Sequence, residues 1–247
     1  MLPFLAPCFP GPLRPFADRL CLAGPADAVP QPWVTEALAR AAQALGCADR
    51  RPLAAAWFRD YTKAVLPGAL VAAAVYRRCL PFDRASLQLA ANGYLGRLNL
   101  PDDGEQAPAG TPLPALLSPL VHVEMPKVVA ALAAAARVPE RLLWCTGGVA
   151  ATGIARQVAA HPALSAGARE EVLAWIGHAV SADGLANPLH GAFRPGAEPG
   201  VPGVAPVRRI CCLSYRLPAE GHCGTCPRVA VSPARPARAI GATATTP

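Results

Sequence analysis

The chain has 247 residues, 53% of them hydrophobic, enough apolar material for a sizeable core without a metal to hold the bulk together. Its formal charge of +7 is modest for this length, the arginines are scattered except near the C-terminus, and aromatics make up only 6%, which argues against nucleic acid as a partner. A basic face of this size suits anionic lipid or an anionic small molecule equally well.

Residues 1–31 are rich in Pro, Gly and Ala and read as an irregular N-terminal arm. They lack a basic n-region, and prolines at 3, 7, 10, 12 and 15 interrupt any helical apolar run, so no secretory signal is expected. Pro32 at a first helical position and Gly46 at a helix end bracket a helix whose Trp33, Ala37, Ala41 and Leu45 share one face. Two further helices, over 52–64 and 68–79, are predicted on either side of Pro67-Gly68, and another over 83–98. A polar Pro/Gly loop at 101–112 precedes a helix over 113–136, bent at Pro119 and Pro126, and one over 139–160. Ser165 is the expected N-cap of the last helix. No alternating apolar–polar run occurs before residue 200. The expected fold is therefore mainly α, a helical body over 32–182 with a small irregular C-terminal segment.

The longest apolar runs, 64–76 and 128–136, fall short of the ~18 residues a membrane span requires. With no secretory signal either, a cytoplasmic location is expected, where thiols stay reduced. Residues 183–206 read as a Gly/Pro linker, 207–230 as the cysteine-bearing segment, and 231–247 as an Ala/Pro/Thr/Arg tail too poor in bulky apolar residues to fold.

The chemistry concentrates in that segment. Cys211-Cys212 is followed after ten residues by Cys223-Gly-Thr-Cys226, with Arg208, Arg209, Arg216 and Arg228 around the four thiols. Thiolate sulfur is a soft ligand suited to iron–sulfur clusters, zinc and copper(I), and four thiolates satisfy a [2Fe–2S] rhomb with two on each iron. Zinc prefers two separated knuckles, and only Cys223 and Cys226 make one; adjacent cysteines in an extended strand point to opposite faces. The spacing therefore favours a two-iron cluster over a zinc site. A redox dithiol at Cys223-x-x-Cys226 needs a strand before it and a helix after it, which Pro227 denies. Four free thiols on a loop would be open to oxidation. The remaining cysteines, Cys8, Cys21, Cys47, Cys79 and Cys145, are isolated and read as small hydrophobes. His222, beside Cys223, is expected to donate a hydrogen bond to a cluster thiolate rather than to ligate. Trp144 reads as a core side chain, and His122 and Glu124, two residues apart, as ordinary surface or packing groups. Thr146-Gly-Gly-Val-Ala-Ala-Thr-Gly has neither a Walker lysine nor G-x-G-x-x-G spacing, so electrons must come from a separate carrier.

With these residues in view, RRICCLSYRLPAEGHCGTCP at 208–227 resembles the C-terminal signature C-C-x10-C-x2-C of the FhuF-like siderophore–iron reductases, and Tyr215-Arg216-Leu217 fits the family's aromatic-Arg-Leu stretch. Weaker likeness runs over roughly 50–180, through Trp57, Leu80-Pro81, His122 and Trp144; where the family often has Trp-Gly-Asn, this chain has Trp144-Cys145-Thr146. The resemblance implies a [2Fe–2S] cluster on Cys211, Cys212, Cys223 and Cys226. It also implies reduction of a ferric siderophore at the cytoplasmic side of the inner membrane, with peripheral membrane contact and an unidentified electron donor. One electron turns a hard ferric ion into a softer ferrous one that hydroxamate or catecholate oxygens hold less well. The four arginines then serve to steer an anionic substrate or donor, or to offset thiolate charge. A non-catalytic iron–sulfur electron carrier or sensor, and a zinc-stabilised binding module, remain as alternatives from the residues alone.

Overall fold

The computed structural model describes residues 1–10, 14, 18–23, 33–181 and 184–229, so Pro32 and the tail over 231–247 lie outside the described residues. Among the described residues the architecture is six α-helices with a few short strands, the mainly helical fold expected. Helix α1 (Trp33–Leu45) ends at Gly46, whose φ of +61° suits a residue without a Cβ.

Helix α2 (Arg50–Ala74) is the axis of the molecule, and it overturns the expected break at Pro67-Gly68. Asp49 caps it by accepting a hydrogen bond from the Arg51 amide. From Pro52 onward almost every residue is buried, apolar on all sides as a helix surrounded by others must be. An internal proline costs a helix about 3 kcal/mol. Each buried Leu, Val or Phe returns about 1.5–3 kcal/mol, so burial of Val65, Leu66, Leu70 and Val71 around Pro67 outweighs that cost. Gly68 admits a neighbour instead of ending the helix: a Cβ there would lie 2.7 Å from Leu20 Cδ1.

The helix expected over 83–98 is also overturned. Past a two-residue strand β2 (Arg78–Cys79), the chain forms a 3-10 turn at Phe82–Arg84 and a hairpin of β3 (Ser86–Leu89) and β4 (Leu95–Leu100). The hairpin turn contains Asn92-Gly93, a turn signal that sequence periodicity alone passes over. Gly93 has φ +81°, and a Cβ there would sit 2.4 Å from the Ala37 carbonyl of α1. Its own carbonyl accepts from the buried Trp57 indole at 2.9 Å. Strand β1 (Leu20–Leu22), from the N-terminal region, adds to β4 in parallel, and β5 (Glu105–Gln106) pairs with β2.

Helix α3 (Leu113–Ser118), a π-helical turn (Pro119–Glu124) and α4 (Met125–Ala136) run on continuously, with the wider turn beginning at Pro119. This stretch of 24 residues is long and apolar enough to cross a membrane by length and composition, contrary to the expectation that no run suffices. Half of its most apolar window is buried, and α4 packs against α1, α2 and α5 as a core helix does.

Helix α5 (Glu140–Ala159) packs along α2, and α6 (Ala166–Gly177) begins where Ser165 Oγ accepts from the Ala168 amide at 3.2 Å. Paired glycines at the centre of α5 permit two close approaches. A Cβ at Gly147 would stand 2.5 Å from the Phe58 ring, and one at Gly148 would stand 2.3 Å from the Leu189 carbonyl. Their absence lets α2 close on one side and the chain after α6 close on the other. Leu189, Ala192 and Phe193 are buried there, so this Gly/Pro-rich stretch is laid down on α5.

Candidate metal centre

The cysteine segment reaches the body through that laid-down stretch. Phe193 and Arg208 form an isolated β-bridge, with Arg194 N donating to Val207 O at 2.8 Å and Arg209 N to Ala192 O at 2.8 Å. Arg208 N in turn donates to Thr225 O at 3.0 Å, which ties the second cysteine pair to the first. From α5, the buried Cys145 thiol donates to Ala192 O at 3.3 Å and to Ile210 O at 3.7 Å, stitching helix, stretch and cysteine segment together.

Two local bends arrange the thiols. Cys226 N donates to Cys223 O at 3.0 Å, closing the tight turn of the knuckle. Leu213 adopts φ +61°, a left-handed conformation that costs an L-residue roughly 1–2 kcal/mol, and it turns the chain directly after the cysteine pair. Its amide donates to Cys211 Sγ at 3.4 Å. The buried Cys212 then faces Cys223 with sulfurs 3.6 Å apart, while the half-buried Cys211 interacts with Cys226. Two thiolates on one tetrahedral metal, with bonds of about 2.3 Å, stand roughly 3.8 Å apart. Among the described residues no three His, Cys, Asp or Glu side chains converge on one point. The thiols thus fall into two pairs, Cys212 with Cys223 and Cys211 with Cys226, an arrangement in which each pair can serve one iron of a two-iron cluster.

Arg208 is 3% exposed, and its Nη1 lies 3.9 Å from Cys223 Sγ. Its Nε is buried without a partner, and it forms no ion pair with a carboxylate among the described residues. A buried cation left without an anion costs several kcal/mol, so thiolate charge on the adjacent cysteines is its counterweight. The thiols respond accordingly. The hydrogen bond from Cys212, helped by Arg208, draws Cys223 down to about 5, and Cys212, as the donor, is pushed up. Burial raises Cys211.

The other arginines of the motif divide differently. Arg216 pairs with Asp49 at 2.6 Å, fastening the 3-10 turn Ser214–Arg216 to the start of α2. Arg228 donates to the Tyr215 hydroxyl and covers its ring at 4.8 Å; Tyr215 stacks on His222 at 5.1 Å. His222 Nδ1 stands 3.4 Å from Cys226 Sγ. Arg209 is exposed and forms no ion pair among the described residues.

Sequence reasoning missed the main clamp on this segment. Arg59 of α2 holds Glu220 in two-pronged fashion at 2.7 and 2.8 Å, and Ser214 Oγ also donates to that carboxylate. The Arg59 guanidinium holds Glu220 down to about 2. No local pattern links positions 161 residues apart. Cys145, read from the sequence as an isolated small hydrophobe, was missed too.

Two clefts flank the cysteines. One, about 450 Å³, is lined by Arg59, Lys63, Arg208, Cys212 and Cys223 among others. The other, about 790 Å³, is reached by Cys211 and bounded by Arg141, Trp144, His190 and Arg209. Trp144, expected in the core, is half-buried and lines this second cleft. A more enclosed cavity of about 210 Å³, bordered by His122, Trp175 and His178, touches no cysteine. Glu124 is buried, with Lys127 at 3.6 Å, and burial raises its carboxyl.

Residues 55–190, more than half of the chain, match the family described as ferric iron reductase FhuF-like transporter, and residues 208–228 match the FhuF 2Fe-2S C-terminal domain. The chain belongs to the FhuF-like family. No curated protein matches it. The FhuF-like chain accordingly carries a [2Fe–2S] cluster, and its function is of the ferric iron reductase type.

Proposed function

We propose that this FhuF-like protein releases iron from a ferric siderophore by one-electron reduction, with Cys211, Cys212, Cys223 and Cys226 as the cluster ligands. The observation that carries the reading is the close Cys212–Cys223 pair beside a buried Arg208 that has no carboxylate partner among the described residues. In this reading 207–230 is the cluster segment and 32–182 the helical body that shapes the clefts beside it.

When bound, the cluster supplies a single electron at a potential tuned by nearby charge and hydrogen bonds. Arg208 holds positive charge beside Cys223 and Cys212, which favours the reduced, more negative state. His222, braced by Tyr215 and Arg228, donates to Cys226 when Nδ1 carries the proton. The Arg59–Glu220 and Arg216–Asp49 pairs hold the segment on α2, with Cys212 and Cys223 at the wall of the 450 Å³ cleft. The reaction moves one electron: Fe(III) in the chelate becomes Fe(II), the protein is oxidised by one equivalent, and an external donor restores it. Ferrous iron then leaves because hard oxygen donors hold it weakly. The reading takes the protein to the cytoplasmic side of the inner membrane, in peripheral contact with it.

The test is anaerobic. Purified protein should contain two irons and two sulfides per chain. After reduction, it should release Fe(II) from a ferric siderophore in proportion to its own reoxidation. Protein that holds the cluster yet passes no electron to any ferric chelate would be an electron carrier or sensor, and the reductase reading would fall.

A further inference from the structure

We infer that the 790 Å³ cleft beside Cys211 is the docking site for the ferric chelate, and that it selects chelates carrying net negative charge, with catecholate or carboxylate arms, over neutral tris-hydroxamates. The inference deepens the reductase reading and rests on it.

Four observations converge. The cleft is of the size that small-molecule sites occupy, about 300–1,000 Å³. Its lining contains Arg141 and Arg209 and no carboxylate, and neither arginine forms an ion pair among the described residues. Arginines without a protein anion at the mouth of a concave site are available to an anionic ligand. Arg141 lies in the first turn of α5, where the helix dipole is already positive and a cation is disfavoured by about 0.3–1 kcal/mol. A charge kept at such a position adds to the field of the helix end instead of opposing it.

The walls supply the rest. Trp144 is held edge-on by Phe58 at 5.8 Å and presents a half-buried indole to the cleft, a surface on which a flat aromatic arm can rest. His190 is positioned by a hydrogen bond between its Nδ1 and Ile176 O at 3.2 Å, and its other ring nitrogen has no hydrogen bond among the described residues. Cys211 borders the same space, so a chelate seated there is next to a proposed cluster ligand. The cleft on the Cys212 side has one cation without an ion pair among the described residues, Lys63; its Arg59 is committed to Glu220 and Asp60, and its Arg208 is buried against Cys223.

The test uses gallium(III) chelates, which cannot be reduced under these conditions and so report docking alone. Calorimetric titration of the cluster-bearing protein should show a trianionic gallium tris-catecholate binding more tightly than a neutral gallium tris-hydroxamate, with the difference shrinking as salt rises. Arg141→Gln and Arg209→Gln should each weaken the anionic chelate by about tenfold, or ~1.4 kcal/mol. Neither should change the visible spectrum or the neutral chelate's affinity. Lys63→Gln, in the other cleft, should leave affinity unchanged. Wild-type affinity in both arginine variants, alone or with weakened binding of an acidic reduced ferredoxin, overturns the docking site. So does a loss caused by Lys63→Gln instead. If the reduced wild-type protein still releases Fe(II) from ferric chelates while the arginine variants bind normally, the cleft assignment alone has failed; if it releases none, the reductase reading has failed.

Discussion

Around α2 the chain buries Trp57, Phe58, Tyr61, Leu66 and Leu70, and these contacts extend to α1, α4, α5 and α6. Residues 207–229 bury only Arg208, Cys212, Ser214, Leu217 and Cys226, and their regular structure is a single 3-10 turn. The body is held by apolar burial worth about 1.5–3 kcal/mol per large side chain, most of it independent of any cofactor. The segment is held by a β-bridge, two ion pairs to α2, the Cys145 thiol and the packing of Leu217, Ile210 and Leu213 on the core. A chain built this way is expected to lose its redox centre before its helical fold, and the connection between the two parts runs through a few identifiable contacts.

The largest expected effect comes from breaking that contrast at the sulfurs. Cys212→Ser should abolish cluster binding, with bound iron falling at least tenfold by colorimetric assay. Far-UV circular dichroism should keep its helical signal, with Tm within a few degrees of wild type. A collapse of the helical signal would show that the body depends on the segment after all.

Gly148→Ala tests the connection from the other side. The new Cβ would meet the Leu189 carbonyl at 2.3 Å, and backbone must move. Overpacking of this kind costs about 1–3 kcal/mol, and the displaced 189–193 stretch should release cluster iron faster to a chelator. Unchanged release kinetics would mean that the stretch does not position the segment.

A smaller effect is expected at the Arg59–Glu220 clamp. The pair is partly exposed, so Glu220→Gln should cost about 1 kcal/mol after allowance for solvent screening. Because Glu220 is held down to about 2, the clamp contributes fully above the ordinary carboxylate range near 4.5 and is lost as pH falls toward 2. The stability difference between wild type and variant, followed by thermal melts, should therefore be constant above about pH 5 and vanish at strongly acid pH. A difference that grows on acidification would reverse the sign and discard the clamp.

The smallest expected change is His222→Ala. Removing a donor 3.4 Å from Cys226 should lower the reduction potential by an amount on the order of tens of mV, read by spectroelectrochemical titration, with iron content unchanged. A potential unmoved or raised would remove the ring from the electronics of the site.

Composition and local pattern alone determined the helical character of the body, the N-cap at Ser165 and the four cysteines, because these depend on residue type at short spacing. The hairpin after Phe82 escaped because its signal, Asn92-Gly93, is two residues long and its strands contain leucines at spacings that also suit a helix. The continuity of α2 through Pro67 escaped because the compensating burial comes from partners distant in sequence. Only the tertiary structure decided how adjacent cysteines face apart, that Arg208 is buried without a carboxylate while Arg216 is tied to Asp49, and that Arg141 and Arg209 line one cleft. Those outcomes arise from long-range packing on α2 and on α5, where the paired Gly147 and Gly148 let distant chain segments come together.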